Sequence, residues 1–145
     1  MHFMEWLRYS KVGVSVSKFK TAGTEPAMIA VIFELTPAPG RKQDYLDLAA
    51  GLADEVSKFD GFISIERFES ISAPGNFVSL SYWRDEEAVR RWRNVQKHRE
   101  AQARGRAGIF TKYRLRVAQI LRDYTLQDRA EAPQDSRGFH GEKRG

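Results

Sequence analysis

Of three histidines in the chain, His98 stands six residues after Trp92. An imidazole with an ordinary pKa of about 6.5 exchanges a proton at neutral pH, so His98 is the candidate for moving a proton on or off a bound molecule. Tyr45, Tyr82, Trp83 and Tyr113 offer ring surface, and the tyrosines offer hydroxyls that could reach a substrate. The same side chains read equally as core or interface aromatics. His98 also reads as a surface residue of the charged run Lys97-His98-Arg99-Glu100.

Residue types exclude much other chemistry. There is no cysteine, which removes disulfides, thiolate metal sites and cysteine nucleophiles and fits a reducing, cytoplasmic setting. The carboxylates form no pair set apart from helix charges, so glycosidase chemistry has no support. Phosphate-loop, dinucleotide, nucleophile-elbow and HExxH patterns are absent. The run Gly105-Arg106-Ala107-Gly108 is a turn too short to cradle phosphates. No apolar run approaches the roughly 18–20 residues that span a bilayer.

The net charge is +5 and the pI about 9.6. Residues 85–106 carry Arg90, Arg91, Arg93, Lys97, Arg99, Arg104 and Arg106, but also Asp85, Glu86, Glu87 and Glu100. Mixed signs on a helix describe a solvated face, so nucleic acid is not the expected partner.

The 145 residues, 41% of them hydrophobic, suit a single folded domain. Residues 1–26 read as an extension, an arm or short strand around Val12, Val14 and Val16, with Met28 as an alternative start. The domain proper is expected over 27–126. Met28–Leu35 is a continuous apolar strand ended by Thr36-Pro37-Ala38-Pro39-Gly40. Over Arg41–Phe59, Tyr45, Leu48, Ala49, Leu52, Ala53 and Val56 recur at helical spacing. Phe62–Glu69 and Phe77–Trp83 read as strands around a Pro74-Gly75 turn, with Ile63 and Ile65 on one face and Phe62 and Phe68 on the other. Glu66 and Arg67 read as a cross-strand charge pair.

Asp85 can cap a helix whose inner face holds Ala88, Val89 and Trp92. Ile109–Tyr124 fits either period; a strand from Phe110 is favoured, with Tyr113, Leu115 and Val117 inward and a bulge or subunit exchange near Ala118. Residues 127–145 read as a disordered polar tail. The order β-α-β-β-α-β is the ferredoxin-like α+β arrangement. Its strands are apolar on both faces, so a second copy is expected to cover the open side of the sheet, giving a homodimer.

The strand MIAVIFELTPAPGRKQDYLDL, the hairpin end VSLSYWRDEEAVRRWR, the segment QKHREAQARGRAGIF and the final YRLRVAQILRDY resemble the antibiotic biosynthesis monooxygenase domain family over about residues 28–125. The resemblance implies a dimeric α+β barrel with a cavity between sheet and helices in each subunit. It also implies a monooxygenase using O2 without cofactor on a small aromatic or polycyclic phenolic compound. In that reading Trp92 stacks the substrate and His98, near the place of a tyrosine in the anthrone-oxidising branch, handles the proton. Phe33, Tyr45, Tyr82, Gln102 and Tyr113 are the expected pocket residues. Another branch binds and cleaves haem. Here Gln102 stands about where that branch has its axial histidine, and Phe33 where it has an asparagine; glutamine is a poor iron ligand. Haem is therefore the alternative cofactor reading, and a non-catalytic small-ligand-binding dimer the alternative from another class.

Overall fold

The computed structural model describes residues 27–95, 99–100, 103 and 108–139. His98, Gln102 and the extension 1–26 lie outside these residues. Along the described chain run β1 (Ile29–Pro37), α1 (Lys42–Ser57), β2 (Phe62–Glu69), β3 (Phe77–Trp83), α2 (Glu86–Arg93), β4 (Phe110–Gln119) and α3 (Gln134–Phe139). The strands form one antiparallel sheet in the order β2-β3-β1-β4, the ferredoxin-like topology expected from the sequence.

Each element has a local cause. The apolar β1 lies at the centre of the sheet, between β3 and β4, where both of its edges are hydrogen-bonded. Its ladder with β4 shifts register at Thr36/Pro37, where proline has no N–H to give. In α1 the stripe Tyr45, Ala49 and Val56 is buried. The helix stops at Lys58, and Phe62 N–H returns to Phe59 carbonyl at 3.1 Å. Asp85 Oδ1 accepts from Ala88 N–H at 2.8 Å, capping α2 as its residue type predicts. Burial works against the Asp85 charge, but the Ala88 N–H and the Arg84 guanidinium outweigh it and hold the carboxyl below its usual range.

Gly61 joins α1 to β2 at φ +90°, and a Cβ there would stand 2.4 Å from Ala88 Cβ. Only glycine permits both that backbone and that approach of α2. Asp60 beside it receives Arg84 Nη1 and Nη2, each at 3.0 Å, and Arg91 Nη2 at 3.3 Å. These exposed ion pairs orient the joint more than they stabilise it.

Three expectations are corrected. A bulge between Phe62 and Ser64 leaves Ile63 out of the β2–β3 ladder and half exposed. Phe62 therefore shares the helix-side face with Ile65, and Ile63 does not. The β1–β4 ladder runs through Val117, Ala118 and Gln119 without a shift; Ala118 faces Ala30, small against small, so no bulge is needed there. The polar segment after the sheet, expected to be a tail, holds α3 over 134–139. Arg137 donates to the carbonyls of Arg129 at 2.6 Å and Ala132 at 2.9 Å, and also to that of Ala130, which folds the segment on itself. Among the described residues no helix is long and apolar enough to cross a membrane.

Candidate functional site

The helix-side face of the sheet presents Ile29, Val31, Phe33 and Leu35 from β1, with Tyr113, Leu115 and Val117 alternating from β4. From β3 it receives Trp83 and Phe77, separated by Ser81 and Ser79. The two serines are too small to fill the layer. Between them and the helices is a cavity of about 130 Å³. Its walls are Tyr45, Leu48, Ala49 and Leu52 of α1, Val89 and Trp92 of α2, and Val31, Phe33, Arg67, Ser81, Trp83, Tyr113 and Leu115 of the sheet. An apolar space of this order takes a single ring or a short branched chain.

One end of the cavity is aromatic and tightly packed. The Trp92 ring stands 5.3 Å from Phe59 and 6.3 Å from Trp83, and Phe62 packs on Trp83 at 5.4 Å. The edge-on geometries of Phe59 on Trp92 and of Phe62 on Trp83 are those aromatic rings prefer. Trp83 Nε1 donates to the buried Ser81 Oγ at 2.9 Å, so its polar atom is satisfied. Trp92 is 6% exposed and still lines the cavity; it is both a core anchor and a wall.

The other end gathers Tyr45, Phe33, Phe110 and Tyr113. Phe33 lies 5.8 Å from Phe110 and 5.7 Å from Tyr113, and Tyr45 lies 5.9 Å from both Phe77 and Phe110. Here polar atoms are left over. Arg67 Nε is buried without a hydrogen-bond partner, and Tyr45 Oη has only the Arg67 guanidinium beside it. Burial pushes the Tyr45 hydroxyl above its usual pKa, while the charge of the Arg67 guanidinium and a hydrogen bond from it pull the other way. The net direction is upward, so Tyr45 stays a protonated donor at neutral pH.

Of the residues read from the sequence, Trp92, Phe33, Tyr45 and Tyr113 meet at this one cavity. Tyr82 does not. It pairs with Ala30 on the opposite face of the sheet, because Trp83 takes the inward position and neighbours on a strand alternate. His98 and Gln102 lie outside the described residues. Arg67, expected to form a charge pair with Glu66, faces the cavity instead and is the one charged side chain among the described residues of its wall. The signal for it was its position two residues after Ile65 on β2, opposite Ser79.

Comparison with known proteins follows the same lines. The family model described as antibiotic biosynthesis monooxygenase matches residues 28–104. A Pyricularia oryzae protein named jasmonate monooxygenase ABM is 46% identical over 93 residues, 64% of this chain and 43% of that protein. The chain thus spans less than half the length of that relative. Bacillus subtilis YqjZ is 27% identical over 110 residues, covering 76% of this chain and 94% of YqjZ. Among solved structures, Rv0793 from Mycobacterium tuberculosis superposes with a TM-score of 0.62 at 19% identity, over 68% of this chain and 100% of that one. PA3566 from Pseudomonas aeruginosa does so at 0.61 and 18%, over 69% and 100%. At those identities the two structures speak for the fold alone.

Proposed function

Since the chain belongs to the antibiotic biosynthesis monooxygenase family, we propose that it is a monooxygenase using O2 without a resident cofactor on a small, largely apolar compound. The relative named for jasmonate supports the monooxygenase class and a compound of modest size. The observation that carries the reading is the apolar cavity walled by Trp92, Phe33 and Tyr113. Its volume favours the single-ring end of the expected substrates over the polycyclic end. Removal of a proton from an activated CH2 leaves an anion that passes an electron to O2; the radical pair joins as a hydroperoxide, which loses water to leave a carbonyl, so the substrate carbon supplies all four electrons. The apolar walls keep water from quenching it. His98 is the proposed proton acceptor, and the Trp92 ring the surface against which the substrate lies.

A homodimer is part of the proposal. The sheet face away from the cavity carries Ile32, Val78, Leu80 and Tyr82, none fully buried, and the exposed Phe68. That face is the surface a second copy would cover, in a cytoplasmic setting.

Oxygen uptake with jasmonate and with a monocyclic phenol, in the presence of a chelator, tests the reading. Uptake with either compound, reduced about tenfold or more in Trp92→Phe and in His98→Ala, is expected. Uptake abolished by chelation, or no uptake with either compound, would contradict it.

A further inference from the structure

The cavity wall is apolar except at one place. Arg67 enters it from β2 because the bulge at Ile63 resets the alternation of that strand. Without the extra residue, the inward series from Phe62 would run through Ser64 and Glu66 to Phe68. With it, the series runs through Ile65 to Arg67, and Phe68 is turned outward, 44% exposed. A local irregularity thus exchanges a phenyl ring for a guanidinium inside an apolar cavity.

That exchange leaves a cation on the cavity wall with no counter-charge among the described lining residues. Arg67 is half-buried, its Nε has no partner, and the group beside it is the Tyr45 hydroxyl, which cannot neutralise its charge. No carboxylate is among the described residues that line it. Buried cations are ordinarily paired, and arginine presents a planar fork whose geometry matches a carboxylate. The bound molecule is the group that can supply the missing acceptor.

We propose that the cavity selects small carboxylic acids with an apolar body, the carboxylate pairing with Arg67 and accepting a hydrogen bond from Tyr45 Oη. The proposal rests on the cavity being the substrate site and names the chemical class that it takes. The apolar body then lies along Phe33, Leu115 and Trp92. The acid is held at the Tyr45 end and the reacting carbon toward the tryptophan end. Arg67 and Tyr45 are binding and positioning groups in this arrangement and take no part in oxygen chemistry.

The test is calorimetric titration of the full chain, without oxygen, with phenylacetate and with its isosteric amide, phenylacetamide. Phenylacetate is expected to bind at least about tenfold more tightly than the amide. Arg67→Gln should bring the two within about twofold of each other and leave amide affinity in place, while Arg67→Lys restores part of the preference for the acid. Tyr45→Phe, which keeps the ring, should weaken the acid and spare the amide. Equal affinity of acid and amide in the wild-type chain, binding of neither, or a preference that survives Arg67→Gln would overturn the proposal. Because no turnover is measured, acid selectivity without oxygen uptake would sink the oxygenase reading alone. Uptake without acid selectivity would sink this one alone.

Discussion

The two ends of the cavity are built from similar residues and do different work. At one end Trp83, Trp92, Phe59 and Phe62 pack edge to face, and the indole nitrogen of Trp83 is satisfied by Ser81. At the other, Tyr45, Phe33, Phe110 and Tyr113 surround a hydroxyl whose neighbour is Arg67, a cation with a buried, unsatisfied Nε and no carboxylate among the described lining residues. The first end has the closed accounting of a protein core. The second leaves a positive charge unbalanced, which a bound anion would complete. Aromatic density alone therefore does not mark a site; unsatisfied polarity beside it does.

Substitutions at the two ends should separate accordingly. Trp92→Ala removes a ring that anchors α2 to the sheet and should cost about 3–5 kcal/mol in denaturant unfolding. Gly61→Ala acts on the joint that brings α2 down onto that end. The added methyl meets Ala88 Cβ and forces φ +90° on a residue with a side chain, for about 2–3 kcal/mol by the same assay. Unchanged stability in Gly61→Ala would mean that α2 can lift without loss, and the tryptophan end would not be the rigid one.

Asp85→Ala should cost about 1 kcal/mol at neutral pH, through loss of the cap on α2. The folded Asp85 carboxyl is held below its ordinary value of 3.8. Its contribution is therefore complete above that value and lost as pH falls through the lower folded value. Wild type and variant should draw together in acid unfolding curves as the pH falls below 3.8.

At the tyrosine end the sign reverses. Arg67→Met replaces a half-buried cation, its Nε without a partner, by an apolar chain and should raise stability by about 1 kcal/mol, a few degrees in melting temperature. Tyr45→Phe removes the hydroxyl beside Arg67 and should move stability by less than about 0.5 kcal/mol in either direction.

Much of the fold was legible. The continuous apolar run of β1, the helical stripe from Tyr45 to Val56, the Pro74-Gly75 turn and the Asp85 cap each state their element through residue type and spacing. So were four wall residues, Trp92, Phe33, Tyr45 and Tyr113. The bulge at Ile63 was not, because an extra residue in a strand leaves no mark in composition and silently inverts the faces on one side of it. That inversion hid Arg67, whose charge argued for solvent. Tyr82 was misplaced for a related reason: β3 is apolar on both faces, and only the pairing with β1 decides whether Trp83 or Tyr82 turns inward. The cavity reaches the sheet at Ser81, a residue that looks incidental until the rings around it are placed.

The most direct test of the central claim is the melting temperature of wild type and Arg67→Met, each with and without saturating phenylacetate. The account predicts that the variant melts higher than wild type without the acid, and that the acid raises the melting temperature of wild type only. A variant that melts lower than wild type, or an acid that stabilises both equally, would show that Arg67 belongs to the core and not to a ligand site.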